Sequence, residues 1–256
     1  MEQVLNSRCF NGEQQRYLHT STVLDCDMHF SIYLPPAIAI GPVPVIYWLS
    51  GLTCTDENFV QKAGAQRYAA HHGVALVAPD TSPRGKHVPD DPDEGWDFGK
   101  GAGFYVNATQ PPWDHHYNMY DYITQELPQL INESFAVDPG RAAIMGHSMG
   151  GHGALTMALR NTGQYASVSA FAPICAPSRC PWGQKALGRY LGDNQRDWET
   201  YDATALVYRA EDPPPMLIDQ GNADEFLDEQ LNPQLFASAC EDSDFPLLLN
   251  MREGYD

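Results

Sequence analysis

Ser148 lies in the run Gly146-His147-Ser148-Met149-Gly150, a G-x-S-x-G spacing. What it can do depends on its flanks. A short apolar run, residues 142–145, precedes it, and a helical pattern over residues 151–160 follows. A serine on a sharp strand-to-helix turn has its hydroxyl pushed into the open, as acyl-transfer nucleophiles require. The same residues could serve as a glycine-rich helix start with a capping serine, but the strand–turn–helix context favours the nucleophile elbow. Attack on a carbonyl creates an oxyanion, which needs preorganised N–H donors. One donor is expected from Met149, at the positive end of the following helix. The other is expected from the loop after the apolar run Val43–Leu49, where Leu52, just past Gly51, is the candidate. Taken alone, Ser50-Gly51-Leu52 reads equally well as a plain strand-ending turn.

The remaining partners follow from chain order, which for a serine elbow of this type runs Ser, then Asp or Glu, then His. A strand-like run at 216–218 leads into Asp219-Gln220-Gly221-Asn222-Ala223-Asp224. Asp224 is the expected acid. Asp219 is its rival, although its place at the strand end also suits loop capping. All nine histidines, at 19, 29, 71, 72, 87, 115, 116, 147 and 152, precede Asp224, so none fits the expected order. His147 flanks the nucleophile and should leave the elbow in another direction. His152 should pack within the next helix or face solvent. The base is expected in the loop after the last strand, residues 246–251. That loop opens with Arg252-Glu253-Gly254-Tyr255-Asp256, which puts the expected histidine, and the end of the domain, just beyond Asp256.

The elements that must position these groups alternate. Asn11-Gly12 marks a turn, and strands are expected over 17–24 and 28–34, an antiparallel start to the sheet. Val43–Leu49 is a continuous apolar run, as for a strand buried on both faces. A helix is expected over 58–72, a strand over 74–78, and a long Gly/Asp/Pro-rich loop over 81–112. A second helix is expected over 117–135. Further strands are expected at 142–145, 167–172, 216–218 and 246–251, with helices over 151–160 and 233–240. The alternation predicts an α/β fold of the α/β-hydrolase type, a mostly parallel sheet with helices on both faces. Ligands are expected in the crevice at the carboxyl ends of its strands.

Composition narrows the partners. A net charge of −18 repels nucleic-acid phosphates and anionic membranes. No apolar run approaches the ~20 residues a membrane-spanning helix needs. The N-terminus has no basic region followed by an apolar stretch, so it does not read as a secretory signal, and a cytoplasmic location is expected. Six cysteines, at 9, 26, 54, 175, 180 and 240, show neither CxxC nor zinc-ligand spacing, so they read as free thiols with no metal. The pairs His71-His72 and His115-His116 point apart on any regular element. No repeat or linker divides residues 1–256, which read as a single domain.

Longer runs carry a more specific signal than the elbow. They are residues 47–59 (YWLSGLTCTDENF), 78–85 (APDTSPRG), 101–109 (GAGFYVNAT), 146–153 (GHSMGGHG), 181–183 (PWG) and 218–221 (IDQG). In these the chain resembles the S-formylglutathione hydrolases, also called the esterase D family, over nearly its whole length. The resemblance implies hydrolysis of S-formylglutathione to glutathione and formate in formaldehyde detoxification, activity on short acyl esters, and no cofactor. It carries over Ser148 as nucleophile, Asp224 as acid, and Leu52 and Met149 as oxyanion donors. It also matches Cys54 to a cysteine near the site that makes such enzymes sensitive to thiol reagents. Family members continue from Gly-Tyr-Asp into His-Ser-Tyr-Tyr and a final helix. Arg84, Lys86 and Lys100, in the long loop, are candidates for the positive charge an anionic tripeptide needs, the alternative being solvated loop charges. Trp96, Trp113 and Trp182 are candidates for the crevice wall, the alternative being core packing. A broader short-chain carboxylesterase and a catalytically dead binding protein are the rival readings. A homodimer stays open.

Overall fold

A computed structural model describes residues 1–256. Three antiparallel strands open it: β1 (Glu2–Cys9), β2 (Gly12–Ser21) and β3 (Cys26–Leu34). β1 was not expected from the sequence. It is an edge strand with almost every residue exposed, so no alternation of apolar and polar residues marks it. β4 (Val43–Leu49) is followed by two helices, α1 (Asp56–Lys62) and α2 (Gln66–His72), where one helix over 58–72 was expected. Gly64, at φ +62°, breaks the run between them. β5 (Ala75–Pro79) then pairs with β3 antiparallel and with β4 parallel.

The long loop ends at α3 (Met119–Asp121) and α4 (Leu127–Ser134), joined by a π-helical turn, Tyr122–Glu126. The helix expected over 117–135 is therefore present but interrupted. β6 (Val137–His147) runs straight into α5 (Met149–Arg160). The chain continues through β7 (Val168–Phe171), α6 (Pro181–Leu191), α7 (Gln195–Trp198), α8 (Ala203–Val207), β8 (Met216–Gly221), α9 (Pro233–Asp242) and β9 (Leu247–Arg252). The nine strands form one sheet in the order β1-β2-β3-β5-β4-β6-β7-β8-β9, parallel from β5 onward. This is the expected α/β-hydrolase-type arrangement.

The period-2 alternation of a strand sorts β4 between two cores. Val43, Val45, Tyr47 and Leu49 join the main core with α4, α5, α8 and α9. Ile46 and Trp48 face the smaller cluster under α1 and α2, around Tyr33, Phe59 and Leu76. That second face is only half-buried at Ile46 and Trp48, so β4 is not enclosed equally on both sides as its uniform apolarity suggested. No helix is long and apolar enough to cross a membrane.

Candidate active site

Ser148 sits between β6 and α5 with φ 56° and ψ −119°, a backbone conformation that costs a non-glycine residue roughly 1–3 kcal/mol. Neighbouring bonds hold it there: the Ser148 N–H donates to the Phe171 carbonyl at 2.9 Å, and the Ser148 carbonyl accepts from His152 N–H at 3.0 Å. The tight turn brings backbone against backbone. A Cβ at Gly146 would lie 2.1 Å from the Gly150 oxygen, and one at Gly150 would lie 2.0 Å from the Leu49 oxygen. We expect Gly150→Ala to destabilise the fold by at least the upper end of the ~1–3 kcal/mol typical of overpacking. A lower urea midpoint at unchanged slope would register it.

The two expected oxyanion donors lie beside this turn. Met149 is the first residue of α5, so its N–H has no intrahelical partner. The Leu52 N–H makes no hydrogen bond within the protein. Its loop abuts the serine, since a Cβ at Gly51 would lie 3.1 Å from Ser148 Cβ. Beyond it, Thr55 caps α1: its hydroxyl accepts from Glu57 N–H at 3.3 Å and its own N–H donates to Asn58 Oδ1 at 3.0 Å.

A cleft of about 360 Å³ opens over Ser148, and Gly51, Leu52, Cys54, Trp96, His147, Trp182, Asp224, Phe226 and Asp256 are among its lining residues. Asp224 and Ser148 therefore share one cleft. Asp224 accepts from Phe226 N–H at 2.8 Å and from Gln220 Nε2 at 3.4 Å. Asp219, the rival acid, is taken up by Arg252, with Nε at 2.6 Å and Nη2 at 2.5 Å, and by Asn250 at 3.3 Å. The Arg252 guanidinium holds its carboxyl below the usual range.

His147 lines the cleft, and burial lowers its pKa against a smaller upward pull from Asp224. The bonds of Asp224 nevertheless go to Phe226 and Gln220, not to this ring. His152 is fully buried with Nε2 2.9 Å from the Phe104 carbonyl, and burial pushes it down to about 4, so it is neutral and structural. Cys54 borders the cleft half-buried, its thiol pushed up mainly by burial while Lys62 and Arg84 oppose that shift. At neutral pH it is a thiol rather than a thiolate.

The aromatic wall consists of Trp96, Trp182 and Phe226, with Trp96–Trp182 and Trp182–Phe226 centroids 5.4 and 4.8 Å apart. Trp182 is carried by α6. Trp113 lies elsewhere, in the core against Phe98 and Tyr117. The basic candidates do not line the cleft. Arg84 is bound to Asp80 and to the Cys54 carbonyl, Lys86 projects from an exposed loop, and Lys100 lies 4.0 Å from Asp90. The residues not foreseen are Phe226, two positions past Asp224, and Lys62, at the end of α1. Lys62 lines a second groove with Asn58 that shares Gly51, Cys54 and His147 with the cleft. No sequence pattern separated Lys62 from an ordinary charge in the last turn of a helix.

Known proteins bear directly on this geometry. A family profile described as "Putative esterase" matches residues 21–256. An S-formylglutathione hydrolase of Rattus norvegicus is 54% identical over 258 residues, covering 100% of this chain and 91% of its own. That of Bos taurus is 53% identical with the same coverage. A solved S-formylglutathione hydrolase from Agrobacterium tumefaciens superposes with a TM-score of 0.98 at 47% identity, covering 100% of this chain and 92% of that one.

Proposed function

Because the chain belongs to the S-formylglutathione hydrolase family, we propose that it hydrolyses S-formylglutathione to glutathione and formate through a formyl-serine intermediate on Ser148. The observation that carries this reading is Ser148 on a strained elbow, sharing one cleft with Asp224 and an unpaired Leu52 N–H. Ser148 Oγ attacks the formyl carbon and its proton passes to a base. The Leu52 and Met149 N–H groups take the charge on the former carbonyl oxygen. Collapse of this intermediate breaks the C–S bond, and the glutathione thiolate leaves with a proton. Water then attacks the formyl ester, releasing formate and restoring the serine. The formyl group is the smallest acyl group, so the wall of Trp96, Trp182 and Phe226 need leave only a little room beside Ser148.

Asp224 is the proposed acid, which orients the imidazole that serves as base. Asp256 lines the cleft, and Tyr255 packs on Gly221, where a Cβ would meet the Tyr255 oxygen at 2.2 Å.

Glutathione brings two carboxylates to a cleft that already contains Asp224, Glu225 and Asp256. The cation available to them is Lys62, in the adjoining groove of about 280 Å³. A partly exposed ion pair is worth up to ~1 kcal/mol, about fivefold in affinity. We expect Lys62→Gln to raise KM for S-formylglutathione by a few-fold, more at low salt, and to leave kcat/KM on a short nitrophenyl ester unchanged. The function itself is tested by comparing specificity constants on the two substrates. A wild-type preference for the nitrophenyl ester would point to a general carboxylesterase instead.

A further inference from the structure

The segment Ser50–Cys54 must hold one N–H at a fixed distance from another on α5, yet it is a loop, with Thr53 at φ +66°. Its two ends are gripped by side chains that the reaction scheme leaves unused. At one end the Tyr105 hydroxyl donates to the Ser50 carbonyl at 2.8 Å. Tyr105 is fully buried and itself strained, at φ 53°. Its ring lies on α5, where a Cβ at Gly153 would come within 2.7 Å of it. One side chain thus touches both the loop carrying Leu52 and the helix carrying Met149.

At the other end the Cys54 carbonyl accepts from Thr81 Oγ1 at 2.6 Å and from Arg84 Nη2 at 3.0 Å. Asp80 organises both donors. Its Oδ1 accepts from Thr81 N–H at 2.7 Å, and its two oxygens accept from Arg84 Nε at 3.0 and 2.9 Å. Asp80 is buried and tied to β3 by its N–H, which donates to the His29 carbonyl at 3.1 Å. The grip is therefore anchored in the sheet, and the Thr53 N–H, donating to Gly101 O at 2.9 Å, adds a third point between the ends.

We propose that Tyr105 and Arg84, the latter oriented by Asp80, are positioning residues of acyl transfer that hold the Leu52 N–H in register with that of Met149. This assigns Arg84 a role inside the enzyme rather than at the substrate's carboxylates. It rests on the reading of Ser148 and Leu52 given above. A displaced donor weakens the transition state more than the ground state, because the full charge on oxygen exists only in the former.

The test uses Arg84→Met, Arg84→Lys and Tyr105→Phe in the full-length native enzyme, with rates normalised by active-site titration so that misfolded protein does not count. Loss of a whole oxyanion donor costs about 10²–10³ in kcat, so a displaced one should cost roughly 10–100-fold, with KM changing far less. The inhibition constant of a trifluoromethyl ketone, whose serine adduct carries an oxyanion, should rise by the factor by which kcat/KM falls. Arg84→Lys, which can make one bond of the two, should fall between wild type and Arg84→Met. Normalised kcat unchanged in the variants, or reduced with no loss of ketone affinity, overturns the proposal. If Arg84→Met does not fold, Tyr105→Phe, which removes one oxygen, decides alone. Turnover surviving in Ser148→Ala would instead defeat the underlying reading, whatever the other variants do.

Discussion

Ser148→Ala is expected to lower kcat on S-formylglutathione by roughly 10⁶-fold and to abolish fluorophosphonate labelling, leaving the residual rate that binding and the oxyanion donors supply. The size of the effect follows from the chemistry. Without Oγ no formyl-enzyme forms, and water must attack a thioester that the cleft merely holds. Folding should be nearly unaffected, since the Ser148 backbone bonds to Phe171, His152 and Ile174 do not involve its hydroxyl. Alanine keeps the Cβ at the same strained φ of 56°. Circular dichroism and the urea midpoint should therefore match wild type while turnover disappears. Loss of less than about a thousandfold in clean protein would mean that Ser148 is not the nucleophile.

Asp224→Asn should be the next most damaging substitution, at about 10⁴-fold in kcat, because an amide favours the wrong imidazole tautomer and cannot stabilise the imidazolium. The informative control is Asp219→Asn. In the sequence the two carboxylates are five positions apart and compete for one role. In the structure Asp219 is held by Arg252 and Asn250, whereas Asp224 borders the cleft of Ser148. Asp219→Asn should lower kcat by less than tenfold and cost at most ~1 kcal/mol of stability, as for a partly exposed ion pair. Single-turnover kinetics on both variants would decide. A larger loss from Asp219→Asn than from Asp224→Asn would reverse the assignment.

Several features were readable because their causes are local. The elbow needs small residues within two positions of Ser148, and Gly146 and Gly150 are present. β9 and α9 emerged at nearly their observed positions because runs such as Leu247–Arg252 and Pro233–Asp242 carry an apolar pattern with a marked start. Other features depended on distant partners. β1 has polar, exposed residues and exists because β2 offers it an edge. The break at Gly64 interrupts a stretch whose composition suits one helix. Trp96 and Trp113 are both tryptophans of one loop region, yet one borders the cleft at 55% exposure and the other is enclosed by Phe98, Tyr117 and Tyr190.

Arg84 separates the two kinds of information most clearly. A cation in a glycine- and aspartate-rich loop invites a role toward an anionic substrate, and its residue type permits nothing finer. Its use is set by Asp80, four positions earlier, and by a carbonyl thirty positions earlier that only the folded sheet brings within 3.0 Å. The sequence by itself pointed to Ser148, to the strand, turn and helix that carry it, and to the family, since each rests on short-range pattern or long continuous runs. Only the tertiary structure decided which carboxylate lines the cleft of Ser148, which tryptophans wall it, and which cation is left unpaired beside it. Those outcomes depend on hydrogen bonds and burial between segments far apart in the chain, and spacing along a sequence does not encode such distances.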